Sequence, residues 1–340
     1  MARPDDTHLD QSQRATATRQ APHGLSVPRA TVNDMLAITV ETENGQRHPR
    51  VTADQLACLV RGIGGEGDRF LVVQRIPDLP GVFIQVWHEA GGGYTLQYRD
   101  GAPDRHFETM LDEPEPVIAA MTGWAREGED WHAGLDWERL DFEPPAPAPP
   151  LELDAEDRGL LEARVREVIV AGYATRDELA ELAEDYLVTG DSRPVSPEQA
   201  RELTDRMWLE RVAEQAAWAD EETDPERITR AFAVLEEAGL TAREHFTCCR
   251  SCGQSEIGGA GAPDARGFVY FHSQSTDAAA GGHGLTLHYG GFDGSSETTA
   301  SVGREAVAAL ERCGLAVEWD GDPGQAIDVT PLDWRKRLVG

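Results

Sequence analysis

Glu143-Pro-Pro-Ala-Pro-Ala-Pro-Pro150 is the stretch on which the architecture turns. Each proline fixes φ and removes a backbone donor, so the run fits neither a helix interior nor a central strand. It reads as an extended, semi-rigid spacer. It predicts an N-terminal module over 32–142 and a C-terminal one over 151–340 of the 340-residue chain. Residues 1–30 are polar, lack aromatic side chains and read as a disordered tail.

On the N-terminal side, Met35–Glu41 alternates and runs into Asn44-Gly45, a hairpin signal. Thr52 is placed to cap a helix carrying Leu56, Leu59 and Val60. Phe70–Ile76, Val82–His88 and Tyr94–Tyr98 are β-rich runs, the last entered through Gly91-Gly92-Gly93. A helix is predicted over 114–126. This is a small sheet with two helices.

On the C-terminal side helices come first. One begins at Asp154. Thr175-Arg-Asp-Glu178 and Ser196-Pro-Glu-Gln199 are capping boxes, and Asp224-Pro225 opens a helix that closes at Gly239. Short strands follow at Ala242–Thr247, Gly267–His272, Leu285–Tyr289, Ala316–Trp319 and Ala326–Thr330, with a helix over Val302–Cys313. The expected class is α+β, the second module being a helical segment followed by a mixed sheet with its helices on one side.

The net charge is −30, from 61 acids against 31 bases. A field of that sign repels phosphate backbones and anionic lipids, so neither nucleic acid nor membrane is an expected partner. A protein partner, if there is one, should be basic. No apolar run reaches the roughly 20 residues that span a bilayer, and no secretory signal opens the chain. The expected location is the cytoplasm. Lys336 is the sole lysine. That excludes a G-K-[ST] phosphate loop and a kinase-type strand lysine, and leaves a Schiff-base enzyme no other amine.

Gly62-Ile-Gly64-Gly-Glu-Gly67 matches the letters of a dinucleotide fingerprint, but a helix precedes it and a strand follows, the reverse of what pyrophosphate binding needs. Neither G-x-S-x-G nor H-E-x-x-H occurs. The informative segment is Thr247-Cys248-Cys249-Arg250-Ser251-Cys252-Gly253. Cys249 and Cys252 have the spacing that lets two sulfurs share a centre. Three readings stay open: a zinc site with a fourth ligand from His245, His272, His283 or His288, of which His272 and His283 are the favoured pair, thiol redox chemistry, and inert packing of small apolar side chains. Gly253 reads as the residue that lets a metal knuckle turn. Cys248, adjacent to Cys249, is expected to face the core.

Ala231-Phe-Ala-Val-Leu235, Phe246-Thr-Cys-Cys-Arg-Ser-Cys-Gly253, Gly267-Phe-Val-Tyr-Phe-His-Ser-Gln274, Leu285-Thr-Leu-His-Tyr-Gly290 and Val317-Glu-Trp-Asp-Gly321 occur in that order. Together they resemble an uncharacterised bacterial family, domain of unknown function 6891, over about 155–337. The resemblance implies a shared fold and supplies no activity. The N-terminal module, with its sheet, helix and Trp131…Trp137 ending, is faintly similar to immunity-type domains of bacterial toxin systems. The function expected from the sequence is that of a non-catalytic interaction or accessory protein, immunity-like in kind. The alternative is a metal- or thiol-dependent protein or enzyme built on the Cys249, Cys252 and His272 region, with zinc as the expected metal.

Overall fold

The computed structural model describes residues 35–142 and 146–339. The expected tail, 1–30, and the first residues of the proline spacer lie outside them. The fold is α+β with two modules, each built on its own sheet.

The N-terminal sheet is antiparallel throughout. Its strands are β1 (Ile38–Thr42), β2 (Arg47–Pro49), β3 (Phe70–Leu79), β4 (Val82–His88), β5 (Tyr94–Asp100), β6 (His106–Leu111) and β7 (Glu138–Leu140), in the order β2-β1-β3-β4-β5-β6-β7. Gly45, at φ 78, makes the β1–β2 turn. Helices α1 (Ala53–Gly62) and α2 (Pro114–Ala125) cover one face and close a core of Ile38, Val40, Leu71, Ile84, Leu96 and Met121. Thr52 and Gln55 form the capping box of α1. The glycine-rich 62–67 segment lies between α1 and β3, the order that argues against a dinucleotide loop.

The other face of this sheet is open, and the strand register reads it row by row. Phe70 pairs with Trp87, Trp87 with Thr95 and Thr95 with Met110. Phe70, Trp87 and Met110 are all exposed. The next row is polar: Gln85 donates to Gln97, and Gln97 donates to Glu108.

The C-terminal module begins with α3 (Ala155–Ala171), α4 (Arg176–Asp185), α5 (Pro197–Ala216) and α6 (Asp224–Glu237). Asp154, Thr175 and Ser196 cap the first three through their side chains. After β8 (Leu240–Arg243) come α7 (Arg250–Glu256), β9 (Gly267–Tyr270), α8 (Ser273–Ala280), β10 (Leu285–Gly291), α9 (Ser296–Arg312), β11 (Val317–Glu318) and β12 (Ile327–Val329). The sheet order is β11-β12-β10-β9-β8, with β8 and β9 parallel and the other pairings antiparallel.

One expectation is corrected: the helices are not confined to one side of this sheet. Every residue of β9 is buried. Val269 and Phe271 join the core beneath α6, α8 and α9, while Phe268 and Tyr270 pack with Ile257 on the opposite face, where α7 lies. A continuous apolar run marks a strand covered on both faces, and Phe268–Phe271 is one.

The modules touch through the tip of β3. Arg176 donates to Asp78 at 2.8 Å and to Asp205 at 2.5 Å, and Trp208 Nε1 donates to the Asp78 carbonyl at 2.8 Å. At the far end of the chain, Trp334 enters the sheet core and Leu338 enters the core of α3, α4 and α5, so the final segment straps those two cores together.

Candidate metal centre

β8 and β9 are parallel, so their carboxyl ends lie on one side of the sheet, where open α/β arrangements place ligands. The loop that leaves β8 is fixed there by the turn that leaves β9. Phe246 N donates to Phe271 O, Ser273 N to Thr247 O, and Ser273 Oγ to Cys248 O. His245 and Thr247 hold φ of 48 and 60, a left-handed conformation that side-chain-bearing residues adopt at a cost of roughly 1–2 kcal/mol each. The surrounding hydrogen bonds sustain that cost, and the loop is held in one shape.

That shape gathers three thiols. The sulfurs of Cys248, Cys249 and Cys252 lie within 4.8 Å of one another, and Cys248 Sγ is 3.5 Å from Cys252 Sγ. Cys248 is exposed, and Cys249 and Cys252 are half-buried. Cys248 therefore does not face the core as strand alternation predicts. Thr247, with its positive φ, breaks the extended run and brings the next side chain round to the other two.

Cys249 is the residue before α7. The Cys252 backbone amide, aided by the neighbouring thiols, holds Cys249 below the ordinary thiol value. Cys248 and Cys249 push Cys252 up to about 11. Between these two, negative charge is favoured on Cys249 over Cys252.

Gly253 serves a different purpose from the one expected. Its φ is not among the positive values, so it makes no special turn. A Cβ there would lie 2.4 Å from the Tyr270 ring, and so only glycine lets α7 rest on β9. Tyr270 in turn donates its hydroxyl to Arg250 O.

His272 caps α8. Its Nδ1 accepts from Ser275 N at 3.2 Å, and its Nε2 lies 3.2 Å from His288 Nε2. Burial, with Arg250 nearby, lowers the His272 pKa. Burial, His272 and Arg250 together bring His288 down to about 4. Among the described residues, neither histidine joins the group of sulfurs. His283 sits exposed in the turn after α8. Cys248 is the participant that spacing did not single out, and the adjacent Cys-Cys pair was its usable signal. His288, a candidate fourth ligand from the sequence, instead lies against His272, and the β9–β10 register sets it opposite Tyr270.

Lys336 is engaged elsewhere. Its ammonium pairs with Glu244 at 3.1 Å and lies 4.5 Å from the centre of the Tyr173 ring. Tyr173 also donates to Glu244, at 2.6 Å, and stacks on His245. The side chain that Schiff-base chemistry would need is a structural ion pair.

A family model described as Domain of unknown function (DUF6891) matches residues 154–338, which take in α3 through the terminal strap. The chain belongs to the DUF6891 family. No curated protein and no solved structure matches it. The three thiols lie inside the DUF6891 domain, and the open N-terminal sheet lies outside it.

Proposed function

We propose that the DUF6891 domain binds a soft metal ion through Cys248, Cys249 and Cys252, and that this chain is a metal- or thiol-dependent protein of the cytoplasm. The observation that carries the reading is the convergence of three sulfurs within 4.8 Å on a loop held by four hydrogen bonds. Thiolates are the soft ligands that zinc and Cu(I) prefer. Three reduced cysteines at a surface suit a reducing compartment. The test is metal analysis of protein purified anaerobically. The wild type should carry about one metal per chain, and the Cys249→Ser/Cys252→Ser double variant none, with a lowered melting temperature, because metal binding is coupled to folding. Metal-free wild type whose melting does not respond to added zinc or Cu(I) would refute it.

A second reading belongs to the N-terminal module and rests on its open face. Phe70 and Trp87 line a groove of about 290 Å³ there, with Gln85 and Gln97. Glu108, and Glu138 paired opposite it, set acids beside the apolar row. An interaction partner with a basic, apolar-tipped surface would complement it. Native mass spectrometry of gently purified chain should show a stoichiometric basic polypeptide that Trp87→Asp removes. Retention of that polypeptide by the variant would rule this face out.

A further inference from the structure

We infer that the thiol cluster is a three-coordinate, all-sulfur site, selective for a thiophilic ion that is satisfied by three thiolates, of which Cu(I) is the type. The inference rests on the metal reading above and deepens it.

Sulfur spacing alone does not separate the candidates. With metal–sulfur bonds of about 2.3 Å, sulfurs stand roughly 3.8 Å apart around a tetrahedral ion and roughly 4.0 Å apart around a trigonal one. The 3.5 Å between Cys248 and Cys252 and the 4.8 Å limit on the group accommodate both. The fourth ligand separates them. Structural zinc is almost always four-coordinate, so it needs one more donor from the protein.

The histidines and carboxylates of the described residues supply none. Among the described residues, no histidine, aspartate or glutamate joins the three sulfurs. His272, the histidine expected there, has no lone pair to give. The Ser275 amide occupies its Nδ1, which assigns the ring proton to Nε2. That proton points at His288 Nε2, which accepts it. To ligate a metal, His272 would have to release either the cap of α8 or its bond to His288. His245 is committed to Thr276 through Nδ1 and stacked on Tyr173. His283 and Glu256 are exposed and outside the group. Soft ions with low coordination number are met in full by such a set, and hard or strictly tetrahedral ions are not.

The experiment uses the full chain, reduced and anaerobic, with Cu(I) supplied as its acetonitrile complex and Zn²⁺ as competitor. Native mass spectrometry should show one Cu(I) per chain, retained against excess Zn²⁺. Copper-edge X-ray absorption should show a first shell of three sulfurs and no nitrogen. Cys248→Ala should lose the ion. Cys248 is exposed, so the apo variant should melt like apo wild type, which separates lost ligation from lost folding. His272→Asn preserves a good helix cap and should keep the ion. A shell containing nitrogen, loss of copper in His272→Asn, or displacement by Zn²⁺ into a four-coordinate site would overturn the inference and leave the metal reading standing. Retention in Cys248→Ala would overturn the inference and remove Cys248 from the metal reading as well. Binding of neither ion beyond that of Cys249→Ser/Cys252→Ser would overturn both.

Discussion

At the scale of single residues, Gly253 carries the most consequence for the least mass. Its hydrogen faces the Tyr270 ring, which is fully buried and cannot swing away. Gly253→Ala should therefore destabilise the domain by about 1–3 kcal/mol, the usual cost of overpacking a closed core. Any gain from alanine's better helix propensity is roughly 1 kcal/mol and should be outweighed. Chemical denaturation would measure the difference. A variant as stable as wild type would mean that α7 does not rest on Tyr270. The same residue shows where sequence reading stops. C-x-x-C-G announces a glycine beside thiols, but whether it turns or packs depends on a strand about fifteen residues away in sequence.

At the scale of elements, most of the fold was legible where patterns were strong. Val82–His88 is β4 to the residue, and the boxes at Thr175 and Ser196 do open helices. The misses share a physical cause. β6, His106–Leu111, mixes charged and apolar side chains and is held as a strand by its pairing with β5. α8, Ser-Gln-Ser-Thr-Asp-Ala-Ala-Ala, lacks a contrasting apolar stripe and owes its start to His272, an uncommon cap that no rule would nominate. The site was half legible for a related reason. Two cysteines follow from spacing, while the third depends on the backbone of Thr247. The histidine pair between β10 and the start of α8 also makes these elements pH-sensitive. The folded His288 pKa, about 4, lies below its ordinary 6.5. Its stabilising contribution is full above about 6.5 and is lost as pH falls through about 4, with Tyr270, His272, Arg250 and Asp328 as the groups around it. Melting temperature should fall over that window, and less steeply in His288→Gln. Equal acid sensitivity in the variant would assign the effect to other groups.

At the scale of the whole molecule, the two modules meet on a buried charge cluster. Asp78 is 8% and Arg176 15% exposed at the side chain. Burial raises the Asp78 pKa even though Arg176 draws it down. The carboxylate thus gains little from its position, while the loss of its partner would strand it. Arg176→Met should cost about 3–5 kcal/mol, as breaking buried pairs does, and Asp78→Asn much less. Thermal unfolding of both variants checks the order, and a larger loss in Asp78→Asn would reverse the account. The net charge of −30 predicts in addition that the chain leaves random duplex DNA and RNA unbound near physiological salt. A salt-sensitive gel shift at low micromolar protein would contradict it.

The lone lysine has a further consequence at this scale. Lys336 is 13% exposed, folded against Tyr173 and locked to Glu244 within the terminal strap. Acyl transfer to a side-chain amine, or the isopeptide linkage by which a degradation tag is joined to its target, requires a free nucleophilic nitrogen. This chain has one such nitrogen to offer, and offers it only while the strap is lifted. The rate at which an amine-reactive reagent labels Lys336 is therefore a clock for that local opening. A label once attached would remove the ion pair and hold the strap away from the two cores that it joins.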